Sequence, residues 1–391
     1  MRGAELLRLI AAQVFLHATM AGMRLATPLL ALQQGYSAAA VGLLIALFAL
    51  TQVFLALPAG RFADRHGLRR PLALSAVAAS LGAGLALVFP SFLAMCVAAL
   101  LTGGATGATV IALQRHVGRS ANSPVDLKRV FSWLAIAPAA ANFVGPFVAG
   151  LLIDHAGHAP ADLLSFRVTF AVLALMPLLC WLLVRNAHEA APTPPPVGAT
   201  PTRAWDLLRE PMFRRLLFVN WLQSSSWDVH AFVLPILGHE RGLGASVIGT
   251  ILGIFAIAAV AVRLALPLFA SRTSERGVIL TSTLVTAAMF CVYPLLHSAW
   301  GMGLCSVMLG FSLGAVQPMV MSMLHQITPH ARHGEALGLR LMTINASSVA
   351  MPMLFGAAGA VIGIGGVFWI VGGVVALGSH TVWQLKARRT A

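Results

Sequence analysis

Residues 60–70 read GRFADRHGLRR and join two long apolar stretches of the chain. Four cationic side chains (Arg61, Arg65, Arg69, Arg70) and one acid (Asp64) crowd this short connection, framed by Gly60 and Gly67. The flanking stretches, 38–59 and 71–89, each have the ~20 mostly apolar residues that a helix needs to cross the hydrocarbon of a bilayer. The segment therefore predicts two membrane-spanning helices joined on one face of the membrane by a charged loop.

Working outward, the composition excludes a soluble protein. Of the 391 residues, 58% are hydrophobic and only 10% charged, so much of the surface must face lipid. Scanning for apolar windows gives twelve spans, 6–32, 38–59, 71–89, 92–113, 130–153, 168–184, 213–237, 245–270, 277–296, 299–324, 336–361 and 365–384. The first carries Arg24 and is followed by no small-residue cleavage site, so it is expected to be a retained helix rather than a signal peptide.

A formal net charge of +14 suggests nucleic acid, but the placement of the charges excludes it. With twelve spans, nearly all 26 basic residues fall on the side that holds both termini. Only Arg167 and Arg241 lie opposite, and Arg24, Arg263 and Arg340 lie inside spans. This asymmetry puts both termini in the cytoplasm and makes anionic lipid, not nucleic acid, the partner of the positive charge. The four cysteines, Cys96, Cys180, Cys291 and Cys305, all fall in spans, so no disulfide framework is expected and they read as packing residues.

The chain divides into 1–184, a six-span N-terminal bundle, 185–212, a proline-rich cytoplasmic linker, and 213–391, a six-span C-terminal bundle. Within the linker, 205–209 reads either as a short surface helix or as plain linker. The two halves repeat at an offset of 207 residues. Pro28 matches Pro235, Gly35 matches Gly242, Phe48 matches Phe255, and Gly103 and Gly107 match Gly310 and Gly314. In the second copy of the charged loop Pro267 replaces Gly60 and Ser271 replaces Asp64.

Gly60, Asp64, Arg65, Gly67, Arg69 and Arg70 resemble the loop between helices two and three of major facilitator superfamily transporters, roughly G-x-x-x-D-R-x-G-R-R/K, with Leu68 standing directly after the second glycine. Gly145, Pro146 and Gly150, in GPFVAG, resemble the helix-five signature of proton-driven exporters, with Ala149 in place of its first paired glycine. Close helix packing explains the same small residues equally well. The arginine that many exporters carry in helix four is absent, Ala99 and Leu100 standing in its place. The resemblance implies an all-α membrane protein, two pseudo-symmetric six-helix bundles with a substrate site between them near the bilayer midplane. It implies a gating role for the charged loop.

Ionisable side chains inside spans are the candidates for function, because hydrocarbon penalises each unless it faces protein or water. Asp228 is the only acid well inside a span. Gln13, His17, Met20 and Arg24 follow one face of helix one, and the repeat maps them onto Asn220, Ser224, Trp227 and Ala231 beside Asp228. Arg24 and Asp228 come out about one turn apart after this mapping. Desolvation favours a neutral carboxylic acid and a nearby cation favours the ionised one. Asp228, with His17 as a possible relay, is thus the candidate proton carrier, and Arg24 its partner or a substrate anchor; a permanent salt bridge is the structural alternative. Asn142, Gln317 and Asn345 complete the polar lining of the cavity. Arg263 and Arg340 are expected to snorkel at cytoplasmic ends, and Arg332 or Arg340 to pair with Asp64. Trp133, Trp221 and Trp227 suggest an aromatic wall. Asp154, His155, His158 and Asp162 fit no metal framework, and neither a phosphate-binding loop nor a nucleophile–base pair is present.

These residues imply a monomeric, proton-coupled secondary transporter of the cytoplasmic membrane. It needs no cofactor or metal and moves a small molecule by alternating access, with export leading on the strength of GPFVAG. Proton-coupled uptake of an organic anion is the alternative. A sensor on the same fold is a third reading.

Overall fold

The computed structural model describes residues 3–158, 162–187, 189, 204–243 and 245–385. All the regular structure among them is helical. The long helices are α1 (Gly3–Gln33), α2 (Ala38–His66), α3 (Arg69–Val88), α4 (Phe92–Arg119), α5 (Pro124–Leu134), α6 (Ile136–His155), α7 (Leu163–Val184), α8 (Pro211–Glu240), α9 (Ala245–Phe269), α10 (Glu275–Val292), α11 (Ala299–Ile327) and α12 (His333–Trp383). Among the described residues, ten stretches are long and apolar enough to cross a membrane by length and composition. The expected span in α8 is more polar, with Asn220, Gln223, Asp228 and His230.

Two boundaries differ from expectation. The span expected over 130–153 is two helices, α5 and α6, separated at Ala135. The last two spans run as one element, α12, interrupted where Gly363 takes φ 77° and ψ 158°, a backbone conformation that glycine adopts without Cβ strain. Residues 204–209 form a 3-10 helix with Ala204 and Leu207 buried, so this stretch is helical rather than plain linker. The rest of the linker, including 190–203, lies outside the described residues.

Side-chain caps start many of the helices. Ser37, Ser91, Ser123, Asp162, Ser274 and Ser298 each accept a backbone N–H in the first turn that follows, which satisfies a donor no intrahelical carbonyl can reach. Asp162 accepts from His158 N as well as from Ser165 N, so this member of the 154–162 His/Asp cluster serves as a helix cap.

The helices form two compact units. The first comprises Met1–Ser120, Ile136–Thr200 and His330–Asn345; the second comprises Ala121–Ala135, Pro201–Pro329 and Ala346–Ala391. Two short segments therefore group with helices of the opposite sequence half. Residues 121–135 carry α5, which packs on α9 and α11, and 330–345 pack on α2. The 207-residue repeat makes these two segments counterparts of each other.

The repeat is visible inside each unit. In the first, Gly103 of α4 lies so close to α2 that a methyl group there would strike the Phe48 carbonyl; in the second, Gly310 of α11 stands in the same relation to the Phe255 carbonyl of α9. Gly107 faces Gln52, and Gly314 faces Ala259, one repeat further on. Gly35 and Gly242, also repeat partners, both have positive φ. Ser91 and Ser298, partners again, cap α4 and α11. Small residues at such crossings let helix backbones approach, which is how helices associate where lipid removes the hydrophobic drive.

Candidate functional site

Within the first unit the 60–70 segment packs against the start of α12. Asp64 sits near the end of α2, one turn before Gly67, which ends the helix with φ 74°. Its Oδ1 accepts from Gly334 N at 2.9 Å and its Oδ2 from Glu335 N at 3.1 Å. Both donors belong to the first turn of α12, where unpaired amides and the helix dipole favour an anion. Arg115, from the end of α4, donates Nε to Asp64 Oδ1 at 2.6 Å and Nη2 to the Asp64 carbonyl at 3.2 Å. The side chains are 9% and 5% exposed, so this is a buried charge pair.

A second layer surrounds that contact. Glu335 accepts from Arg61 Nε and Arg332 Nε, each at 2.9 Å. Gly60 and Gly334 touch backbone to backbone, and Gly338 lies against the Ala56 carbonyl, so small residues four apart on α2 meet small residues four apart on α12. On the far side of the loop, Arg69 donates to the Ala187 carbonyl, and Glu189 accepts from Leu68 N and Arg69 N at the start of α3. Arg65 and Arg70 are exposed. The expectation that Arg332 or Arg340 would hold Asp64 is corrected: Arg115 holds it, Arg332 holds Glu335, and Arg340 is buried within α12.

Also in the first unit, the α1 stripe separates into different environments. Gln13 is buried, and neither polar atom of its amide has a hydrogen-bond partner among the described residues. His17 lies beside Arg24 and beside Asn142 of α6. Met20 belongs to the apolar core, and its sulfur accepts from Gln52 Nε2 at 3.4 Å. Arg24 and Asn142 are exposed on the unit. The helix-five motif lies against α1. Gly145 meets the Ala18 carbonyl and Gly22, Pro146 is accommodated inside α6, and Gly150 approaches Leu25. Asn345 of α12 donates to its own helix, at the Leu341 carbonyl.

The second unit holds a cavity of about 150 Å³ between α8, α9 and α11, lined by Gln223, Ser224, Trp227, Arg263, Leu313, Val316 and Gln317. Ser224, Trp227 and Gln317 were expected to line a site, and they meet here; Asn220 is buried one turn before Ser224. Arg263 does not snorkel. It is 8% exposed, donates to the carbonyls of Gly314 (3.3 Å) and Ala135 (2.9 Å), and lies 5.8 Å above the Trp227 ring. Arg263 and Gln223 are the polar lining residues that sequence reasoning missed. The signal for Arg263 was an arginine deep in a stretch that is otherwise apolar.

Asp228, next to Trp227 on α8, is half-buried and accepts from Ser348 Oγ at 3.3–3.4 Å, and Ser225 bonds Ser347 at 3.0 Å. His230 is fully buried, bonded to Ser306 and stacked on Phe255. Trp221 packs on Phe218 and Trp133 is exposed, so only Trp227 of the three tryptophans lines the cavity.

The sequence pattern of the Major Facilitator Superfamily matches this chain twice, over residues 9–221 and 216–390. The chain belongs to that superfamily. It is a multi-pass membrane transporter of a small molecule, not an enzyme. Among relatives, the class B tetracycline resistance protein of Escherichia coli is 25% identical over 323 residues, covering 80% of this chain and 77% of that protein. The multidrug resistance protein MdtG of Salmonella arizonae is 24% identical over 252 residues, 63% of this chain and 61% of that one. The solved superfamily transporter FucP, in an outward conformation, aligns with a TM-score of 0.80 at 14% identity, over 97% of this chain and 98% of its own.

Proposed function

We propose that the protein exports a small organic compound across the cytoplasmic membrane in exchange for protons, as a monomer with both termini in the cytoplasm. The observation that carries the coupling is Asp228, an acid in α8 next to the cavity-lining Trp227, whose contacts among the described residues are the long ones from Ser348. Export draws support from relatives named for tetracycline and multidrug resistance and from GPFVAG. Asp64, clamped between Arg115 and the first turn of α12, acts as the cytoplasmic lock in this reading. A thermal-shift screen of metabolites and drugs at two pH values identifies a cargo, since a ligand of the folded state raises its apparent stability. Adding that cargo to the purified protein in weak buffer should then release protons, and Asp228→Asn should release none. Proton uptake on binding would point instead to symport.

One observation favours that second reading, uptake of an organic anion: the exposed guanidinium of Arg24 beside His17. Arg24→Ala should then lower cargo affinity sharply, whereas under export of a neutral compound it should move only the pH dependence.

A further inference from the structure

We propose that the cavity of the second unit binds the anionic head of the cargo, a ring-borne carboxylate with a hydroxyl group nearby. The inference rests on the transport reading and names its substrate class. Arg263 is a buried cation whose described contacts are two carbonyls and the Trp227 face. No carboxylate lies within ion-pair distance of it among the described residues. Its Nη2 has no hydrogen-bond partner there, and Arg263 lines the cavity. A buried charge left in this state is costly, and an anion in the cavity would neutralise it.

Gln223 supplies the second requirement. Its side chain is 3% exposed and lines the same cavity. Its Nε2 donates to Thr283 Oγ1 at 2.7 Å, while its Oε1 is buried with no hydrogen-bond partner. An amide oxygen only accepts, so it calls for a donor on the ligand, and a hydroxyl beside an acid group provides one. Trp227, Leu313 and Val316 give the remaining wall an apolar surface, and a cavity of about 150 Å³ is of the size that holds a single benzene ring.

The probe is 3-hydroxybenzoate, compared by titration calorimetry with its neutral amide and with benzoate, on the full-length protein in detergent. 3-Hydroxybenzoate should bind saturably and at least roughly tenfold more tightly than 3-hydroxybenzamide, the scale of a charge-assisted hydrogen bond. Arg263→Gln should remove that preference. Arg263 also ties down two backbone carbonyls, so Gln223→Leu is the decisive variant if Arg263→Gln fails to fold. It should weaken 3-hydroxybenzoate and leave benzoate unchanged. Absence of binding up to the solubility limit, equal binding of acid and amide, or binding indifferent to either substitution overturns the proposal. Uptake of radiolabelled 3-hydroxybenzoate into proteoliposomes separates the two readings. Flux that ignores both substitutions sinks the subsite and leaves transport standing, while Arg263-dependent binding without any flux does the reverse.

Discussion

Asp64 shows how one side chain can carry several contacts. From the last turn of α2 it neutralises Arg115 and caps α12 at once. Removing its charge leaves Arg115 buried without a counterion, which is where the large cost of breaking a buried pair arises. Asp64→Asn keeps the shape and some hydrogen-bonding capacity, so the protein should fold while turnover drops about tenfold, one factor of ten per ~1.4 kcal/mol of barrier. In thermal unfolding, Asp64→Asn and Arg115→Leu should be non-additive, with a coupling of about 1–3 kcal/mol. Additive effects within about 0.3 kcal/mol would mean the two side chains do not act as a pair. The sequence made the acid of this lock legible, because an acid among four arginines is unusual. Its partners were not legible. Arg115 and Glu335 are ordinary-looking charges until folding brings positions 51 and 271 residues away onto one carboxylate.

At the scale of elements, glycine position decides which helices can touch. Gly103 and Gly310 each press on a carbonyl of the repeat-equivalent neighbour, while a Cβ at Gly84 on α3 would meet nothing. Gly103→Ala should destabilise by roughly 1–3 kcal/mol through overpacking. Gly84→Ala should be neutral or stabilising by up to ~1 kcal/mol through helix propensity. Loss of monodisperse, folded protein on size exclusion after heating separates them, and equal behaviour of the two variants would remove the close crossing from the explanation of the fold. The spans and the repeat were legible because apolar length and gap-free recurrence survive in one dimension. The break at Ala135 was not, since Leu134-Ala135-Ile136 carries no proline or glycine. The C-cap there is instead met by Arg263, from a distant helix. Gly363 was a visible glycine, yet one among 36 in the chain.

For the whole molecule, the distribution of positive charge predicts sidedness. With the four native cysteines replaced, a cysteine introduced at Ala159 should react with an impermeant thiol reagent in intact cells, and one at Ala199 should not. Both positions lie outside the described residues. Labelling at Ala199 from outside would overturn the cytoplasmic assignment of the linker. The transporter class could be read from the sequence because the charged loop, the repeat and the twelve spans agree with one another. Ser224, Trp227 and Gln317 of the cavity were legible as polar or aromatic residues inside spans; Gln223 and Arg263 were not, because they come from different helices and share no spacing in sequence.

Proton coupling is tested most directly in proteoliposomes with an imposed pH gradient, comparing the native protein with Asp228→Asn. A carboxylate that is ionised in one conformation and desolvated in the other takes up and gives back a proton in each cycle, which ties cargo movement to the gradient without a cofactor. The native protein should accumulate cargo against its gradient. Asp228→Asn should bind cargo and exchange it passively, but fail to accumulate it. Gradient-driven accumulation that persists in Asp228→Asn would contradict this mechanism and move the proton site to His17 and Arg24.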